Sequence, residues 1–170
     1  MAVDPPIGSI LAWAGPPAKI PSNYKLCDGA SLDRTVAANQ ALFDAIGTGW
    51  GGDGANMFNL PDLRGVFLRG VTGATGRDPD AANRTPASPG TNNPGNHGNA
   101  VGSVQEDAIP RHSHLVRSSI GNQFGDDNYD VAGGKFRQPP ANASMATTEF
   151  GSGTETRPKN TYVHWIIRAQ

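Results

Sequence analysis

The chain has 170 residues, a formal net charge of −1 and a single cysteine, Cys27. This charge balance leaves no basic surface stripe, so nucleic acid and anionic membranes are poor candidate partners. No apolar run is long enough for membrane insertion, and one cysteine allows no intrachain disulfide. Because residues 1–6 contain neither a basic region nor a long apolar run, we expect no secretory leader. We therefore expect the chain to leave a cell, if at all, by lysis or within a larger assembly.

The composition predicts a thin hydrophobic core. Hydrophobic residues make up 36% of the chain and aromatic residues 7%, whereas Gly (22) and Pro (14) are abundant. Few large apolar side chains are then available to bury within one copy. Burial against other chains is expected to stabilise the fold.

Two strands and one helix are predicted in the first third of the chain. Residues 7–13 and 24–27 are short apolar runs that end at turn residues, which is typical of strands. From Ser31 or Asp33 as the N-cap, the apolar spacing becomes helical. Gly47 occupies the position of a C-cap glycine and ends this helix.

The remaining segments are more irregular. Residues 48–54 are dense in glycine and lack the Lys-Ser/Thr of a phosphate loop, so we expect a close backbone turn. Residues 58–70 alternate loosely and predict an edge strand or an irregular crossing. Residues 71–102 contain almost no large hydrophobe, so we expect them to be disordered or pinned by neighbouring chains. Residues 162–168 predict a buried final strand.

His112 and His114 form the strongest candidate metal motif. Separated by one residue, both imidazoles lie on one face of an extended chain and can bind the same cation. A transition metal takes four to six ligands, so His97 and His164 complete the site or other copies do. Three copies about a three-fold axis would supply six imidazoles in an octahedral arrangement. A solvated histidine pair is the alternative that this motif leaves open.

Five ordered motifs within residues 7–70 resemble the phage tail collar domain. They lie at residues 8–15 (GSILAWAG), 27–29 (CDG), 46–47 with 50–54 (IG, WGGDG), 58–65 (FNLPDLRG) and 68–70 (LRG). The rest of the chain resembles the receptor-binding end of phage tail fibres, at residues 102–107 (GSVQED), 112–114 (HSH) and 155–160 (ETRPKN). Several motifs in order are far more specific than one alone.

This resemblance implies an intertwined homotrimer that is mainly β, with one or two short helices and long irregular loops. A collar domain would cover residues 1–70, and residues 71–170 would form the receptor-binding tip with the metal motif and the C-terminal strand. An upstream fibre shaft or baseplate would carry the trimer. In tail fibres, matching histidine pairs from three chains hold one iron or zinc ion on the axis, a role that falls here on His112 and His114.

The implied function is binding of a receptor on a bacterial surface, whether glycan, lipopolysaccharide or surface protein. The setting would be a virion tail fibre or a bacterial fibre tip of the same fold. Binding residues concentrate in loops on rigid scaffolds, and aromatic and Arg side chains are the usual anchors. In the turn-rich residues 121–153 the candidates are Asn128, Tyr129, Phe136 and Arg137. Ordinary loop packing is the alternative for each of them.

Two other functional classes stay open. A structural collar or connector would bind other fibre parts instead of a receptor. Cupin metalloenzymes also use a His-x-His pair, but Ser118 and Ser119 stand where their carboxylate ligand is needed. Carboxylates that could serve a polysaccharide-degrading enzyme are Asp126, Asp127, Asp130 and Glu149. No nucleophile with its base and orienting group is visible, so we expect a protein that is not an enzyme.

Overall fold

A computed structural model describes residues 4–53, 55–88, 92–108 and 157–170. These residues are mainly β, with three small antiparallel sheets. The strands are β1 (Ile10–Trp13), β2 (Tyr24–Leu26), β3 (Ser31–Asp33), β4 (Met57–Asn59), β5 (Thr85–Pro86), β6 (Ser103–Val104) and β7 (His164–Arg168). One α-helix, α1 (Ala37–Ile46), and two 3₁₀ helices (Pro17–Lys19 and Ala81–Asn83) complete this part of the chain. The predicted mainly β fold with one helix is confirmed.

The largest sheet places the C-terminal strand between two N-terminal strands. β7 pairs antiparallel with β1 on one side and with β2 on the other. Ile167 lies opposite Ile10 of β1 and Lys25 of β2. Since both edges of β7 are paired, its Ile166 and Ile167 are buried. The buried strand predicted at residues 162–168 is confirmed, and it begins at His164.

The core collects buried side chains from β7, α1 and β4, and Ile10 of β1 packs against them. Leu42 of α1, Phe58 of β4 and Ile167 of β7 are each 0% exposed. The rings of Phe43 and Phe58 meet edge to face, with centroids 5.3 Å apart. The helix α1, β4 and the last strand, β7, therefore contribute buried side chains to one apolar cluster.

The helix starts later than the sequence predicted. Ser31–Asp33 is strand β3, in which Leu32 lies opposite Phe58 of β4, so the predicted N-cap at Ser31 or Asp33 is wrong. The Asp33 carboxylate instead accepts hydrogen bonds from the Thr35 N–H (2.7 Å) and hydroxyl (2.6 Å). This Asx-type turn joins β3 to α1. In it a carboxylate accepts a hydrogen bond from a nearby backbone N–H, as it also does when Asp caps a helix. The predicted helix end is confirmed, because Gly47 has φ 56°.

Residues 92–102 are ordered by this chain's own glycine loop. The Gly52 N–H donates to the Asn93 carbonyl at 2.9 Å, and the Asn96 N–H donates to the Gly49 carbonyl at 2.8 Å. Gly102 has φ 94°, and a Cβ there would collide with the Gly49 carbonyl oxygen. The close turn predicted at residues 48–54 is confirmed in its described part.

The described part of residues 71–102 is ordered, contrary to the first alternative predicted for it, and the second alternative, pinning by neighbouring chains, stays a prediction. The low apolar content of this segment did not indicate that it is ordered, because backbone hydrogen bonds and closely packed glycines, not apolar side chains, hold it in place. Contacts also group the residues up to 106 with those from 158 onward as one compact unit, here called the collar unit. The predicted division at residue 70 stays a prediction, although β7 pairs with the N-terminal strands.

Candidate functional site

Residues 107–157, here called the inserted segment, leave the collar unit after β6 and return to it before β7. The candidate site is therefore the scaffold that holds the two ends of this segment. No helix in the described ranges is long and apolar enough to span a membrane.

Two sequence motifs of the scaffold, residues 27–29 and 58–65, meet in space. Asp28 forms an isolated antiparallel bridge with Asp62. Gly29 lies beside them with φ 77°, and a Cβ there would approach the Asp62 side chain to 3.2 Å. Gly29 thus provides both the positive φ and the small size that this contact requires. These motif residues are explained by packing between the two turns.

Asp62 and Arg64 form a two-pronged ion pair on the surface of this contact. The Arg64 Nε donates to Asp62 Oδ1 at 2.8 Å, and its Nη2 donates to Oδ2 at 2.6 Å. These hydrogen bonds lower the pKa of the Asp62 carboxyl and raise the pKa of the Arg64 guanidinium. Both charges are therefore satisfied within the chain.

Cys27 is buried beneath the same turns. Its burial, together with the nearby negative charges of Asp28 and Asp62, raises the pKa of the thiol to about 12. Only the thiolate acts as a nucleophile or as a metal ligand. Cys27 is therefore a core residue with no reactive role at neutral pH.

Arg84 connects the scaffold to the start of the inserted segment. Its Nε and Nη2 donate to the hydroxyl and carbonyl oxygens of Ser103, both at 3.0 Å. Its Nη1 donates to Gln105 Oε1 at 3.0 Å and lies 3.4 Å from the buried Asp78 carboxylate. Arg69 makes a second ion pair with Asp78, at 3.7 Å. Together with the pairing of β5 and β6, these bonds fix the last residues before the inserted segment.

Sequence reasoning missed this cluster. Asp78 was visible as an acidic residue in a polar segment with Arg69 and Arg84 on either side. An ion pair between irregular segments has no fixed sequence spacing, unlike a pair on one helix. The order of charges along the sequence therefore does not specify this contact.

The predicted site residues fall in two groups. His112, His114, Asn128, Tyr129, Phe136 and Arg137 lie outside the described residues, and their roles stay predictions. His97 and His164 are described, and both are exposed. Within the four described ranges, no group of three or more His, Cys, Asp or Glu side chains could hold a metal ion.

Comparison with known proteins agrees with this scaffold. Residues 8–68 match the family described as Phage Tail Collar Domain. Protein RhiB of Rhizobium leguminosarum bv. viciae is 33% identical over 179 aligned positions, which span 96% of this chain and 74% of RhiB. Residues 8–68 therefore form a phage tail collar domain. The resemblance expected from the five motifs is thereby confirmed.

A second relative is a fibre protein. The short tail fiber protein gp12 of Enterobacteria phage T4 is 40% identical over 68 residues, which span 38% of this chain and 12% of that protein. The collar unit of this chain extends beyond the family match at residues 8–68, since β6 and β7 also belong to it. The collar domain here is thus completed by residues that follow the inserted segment.

Proposed function

We propose that this collar-family protein is the tip of a homotrimeric fibre and binds a bacterial cell-surface receptor through the inserted segment. The observation that carries the proposal is the position of β7 between β1 and β2. The chain leaves the collar unit and returns to the centre of its main sheet, so the unit carries the inserted segment at both ends. Turn-rich segments on such scaffolds are where proteins concentrate binding residues. The fibre relative supports the assignment.

Receptor binding is tested with the full chain and four alanine substitutions. Replacing Asn128, Tyr129, Phe136 and Arg137 together removes the aromatic and Arg anchors that we place in the receptor surface. We expect binding to a panel of bacterial strains, or to a glycan array, to fall at least about tenfold, since one such anchor contributes more than about 1 kcal/mol. Tyr162→Ala, at an exposed tyrosine of the collar unit, is the control. Unchanged binding by an intact trimer would refute this surface.

We place one iron or zinc ion per trimer at the histidine pair. His112 and His114 of three copies supply six imidazole nitrogens, a donor set that suits both metals. An octahedral set favours Fe(II), because zinc in proteins prefers four ligands. With every position filled, the ion would clamp three chains and would not bind a substrate.

Elemental analysis of protein purified without chelator tests this clamp. We expect about one metal per three chains, and loss of both the metal and some thermal stability in His112→Ala. His97→Ala is the matched control and keeps its metal. Acid protonates free imidazole below about pH 6.5, so the stabilisation by metal is present above that pH and is lost as the pH falls. A metal-free wild-type trimer would end the proposal of a clamp.

Two settings and one other function are compatible with this architecture. A virion tail fibre and a bacterial surface fibre tip both present a trimeric tip to a receptor, with a shaft or baseplate upstream. A structural connector is the second candidate, supported by the family match at residues 8–68. A connector would bind fibre components and would leave bacterial cells unbound. Release of reducing ends from bacterial polysaccharide would instead indicate an enzyme.

A further inference from the structure

The two ends of the inserted segment are held to the collar unit by very different amounts of strand pairing. At the far end, β7 pairs along both of its edges, with β1 and with β2. At the near end, β6 pairs with β5 over two residues, and one of its partners is Pro86, which has no N–H to donate. So short a ladder is a weak hold by itself. Side-chain contacts therefore decide how firmly the chain is fixed where the inserted segment begins.

The guanidinium of Arg84 supplies these contacts. Its three nitrogens donate to the Ser103 hydroxyl, the Ser103 carbonyl and the Gln105 side chain, each at 3.0 Å. The Ser103 hydroxyl in turn donates to the Ala100 carbonyl at 2.9 Å, so the hydrogen bonds continue into the preceding turn. A planar guanidinium presents its donors in one fixed geometry, which the ammonium of a lysine does not reproduce. Residues 103–105 are thus bound to one rigid group.

Asp78 fixes the guanidinium itself. Its carboxylate is 7% exposed and lies 3.4 Å from the Arg84 Nη1, and the Arg84 side chain is 18% exposed, so solvent screens this pair less than a surface pair. The second carboxylate oxygen accepts a hydrogen bond from the Asp80 N–H at 3.2 Å. Arg69 shares the carboxylate at 3.7 Å, but its side chain is 53% exposed. Arg84 is therefore the more deeply embedded of the two arginines.

We infer that Arg84 is a positioning residue for receptor binding, because it fixes the chain at residues 103–105, where the inserted segment begins. This role rests on the receptor binding proposed above and adds to it a residue that lies outside the inserted segment. A segment that is fixed at both ends loses less conformational freedom when it binds, which raises its affinity. β7 fixes one end through its backbone, and Arg84 fixes the other through its side chain.

Arg84→Lys in the full chain tests this role. Lysine keeps a positive charge opposite the buried Asp78 carboxylate, so that group stays compensated, but the planar fork is lost. We expect hydrogen exchange at the β6 amides to become at least about threefold faster, while the β7 amides exchange as in the wild type. Affinity for a bacterial strain that the wild type binds should fall at least about threefold. Arg69→Lys is the matched control, because Arg69 pairs with the same carboxylate and its other bond is to the Arg77 carbonyl.

Gln105→Ala supplies a second variant that leaves the ion pair of Asp78 and Arg84 intact. It removes one of the three acceptors, so exchange at β6 and affinity should change in the same direction by a smaller factor. Unchanged exchange at β6 in both variants, or equal acceleration at β7, would overturn the anchor. Faster exchange at β6 with wild-type affinity would overturn its role in binding and leave the receptor surface standing. A wild type that binds no strain would refute the proposed function itself, and faster exchange at β6 would then show that Arg84 only stabilises the collar unit.

Discussion

The ion pair of Asp62 and Arg64 makes stability depend on pH in a defined direction. Hydrogen bonds from Arg64 lower the pKa of Asp62 in the folded chain. A lowered carboxyl pKa contributes stability that is fully present above the unfolded pKa of about 3.9 and is lost as the pH falls through the folded value. Both side chains are largely exposed, at 68% for Arg64 and 41% for Asp62, so screening keeps the contribution small.

Arg64→Met is therefore expected to lower the free energy of unfolding only slightly at pH 7, because solvent screens this exposed pair. The difference from wild type should shrink as the pH falls below about 3.9, where the unfolded chain binds a proton at Asp62 first, and should vanish once the pH is below the lowered folded pKa. Urea unfolding at several pH values measures it. Lys19→Met, which removes another exposed positive charge, should show no such pH-dependent difference. A difference that persists unchanged at pH 3 would contradict this role of the pair.

A second residue-scale prediction concerns the glycine contact that orders residues 92–102. Gly102→Asn places a side chain against the Gly49 carbonyl, so we expect a loss of about 1–3 kcal/mol from overpacking. Gly73→Asn is the matched control, because Gly73 also has a positive φ but no atom lies within 4 Å of its Cβ position. Asn tolerates positive φ better than other side chains do. Equal effects at both positions, measured by thermal or urea unfolding, would show that the close approach is unimportant.

At the scale of elements, β7 joins β1 and β2 into one sheet of the collar unit. Ile167 is 0% exposed and lies opposite residues of both β1 and β2. Ile167→Ala is expected to cost about 2–5 kcal/mol, the range for deleting a buried aliphatic side chain. Val163→Ala, just before the strand and 40% exposed, should change stability by less than about 0.5 kcal/mol. Similar urea midpoints for the two variants would argue against a structural role for β7 in the collar unit.

Local sequence patterns predicted single elements better than their pairing. The strands β1, β2 and β7 and the end of α1 followed from apolar runs and from the glycine at position 47. The start of α1 did not, because Asp33 forms an Asx-type turn after a strand with the same chemistry that caps a helix. The insertion of β7 between β1 and β2 joins the two ends of the chain, and no local period encodes such a contact.

The candidate site was only partly predictable, because sequence motifs identify its turns but not the contacts between its irregular segments. Five motifs identified the collar domain, since turns that pack backbone against backbone restrict residue types tightly. The bonds from Arg84 to Ser103 and Gln105 join irregular segments, whose spacing varies freely. The prediction that His112 and His114 are metal ligands rests on residue type, spacing and the family resemblance.

At the scale of the whole molecule, the described residues contain one modest core, and several large hydrophobic side chains stay exposed. The core cluster consists of seven buried side chains, Cys27, Leu42, Phe58, Leu60, Leu63, Ile167 and Ala169. Such a core agrees with the thin apolar complement of the sequence. Association of copies would stabilise this fold in a concentration-dependent way, because anything that binds only the native state raises its stability.

Multi-angle light scattering of the full chain at micromolar concentration tests the central claim most directly. A receptor-binding fibre tip with a metal ion shared by three histidine pairs requires three chains. We therefore expect a mass three times that of the 17.8 kDa chain, retained on dilution through the micromolar range. A single species of 17.8 kDa would contradict it.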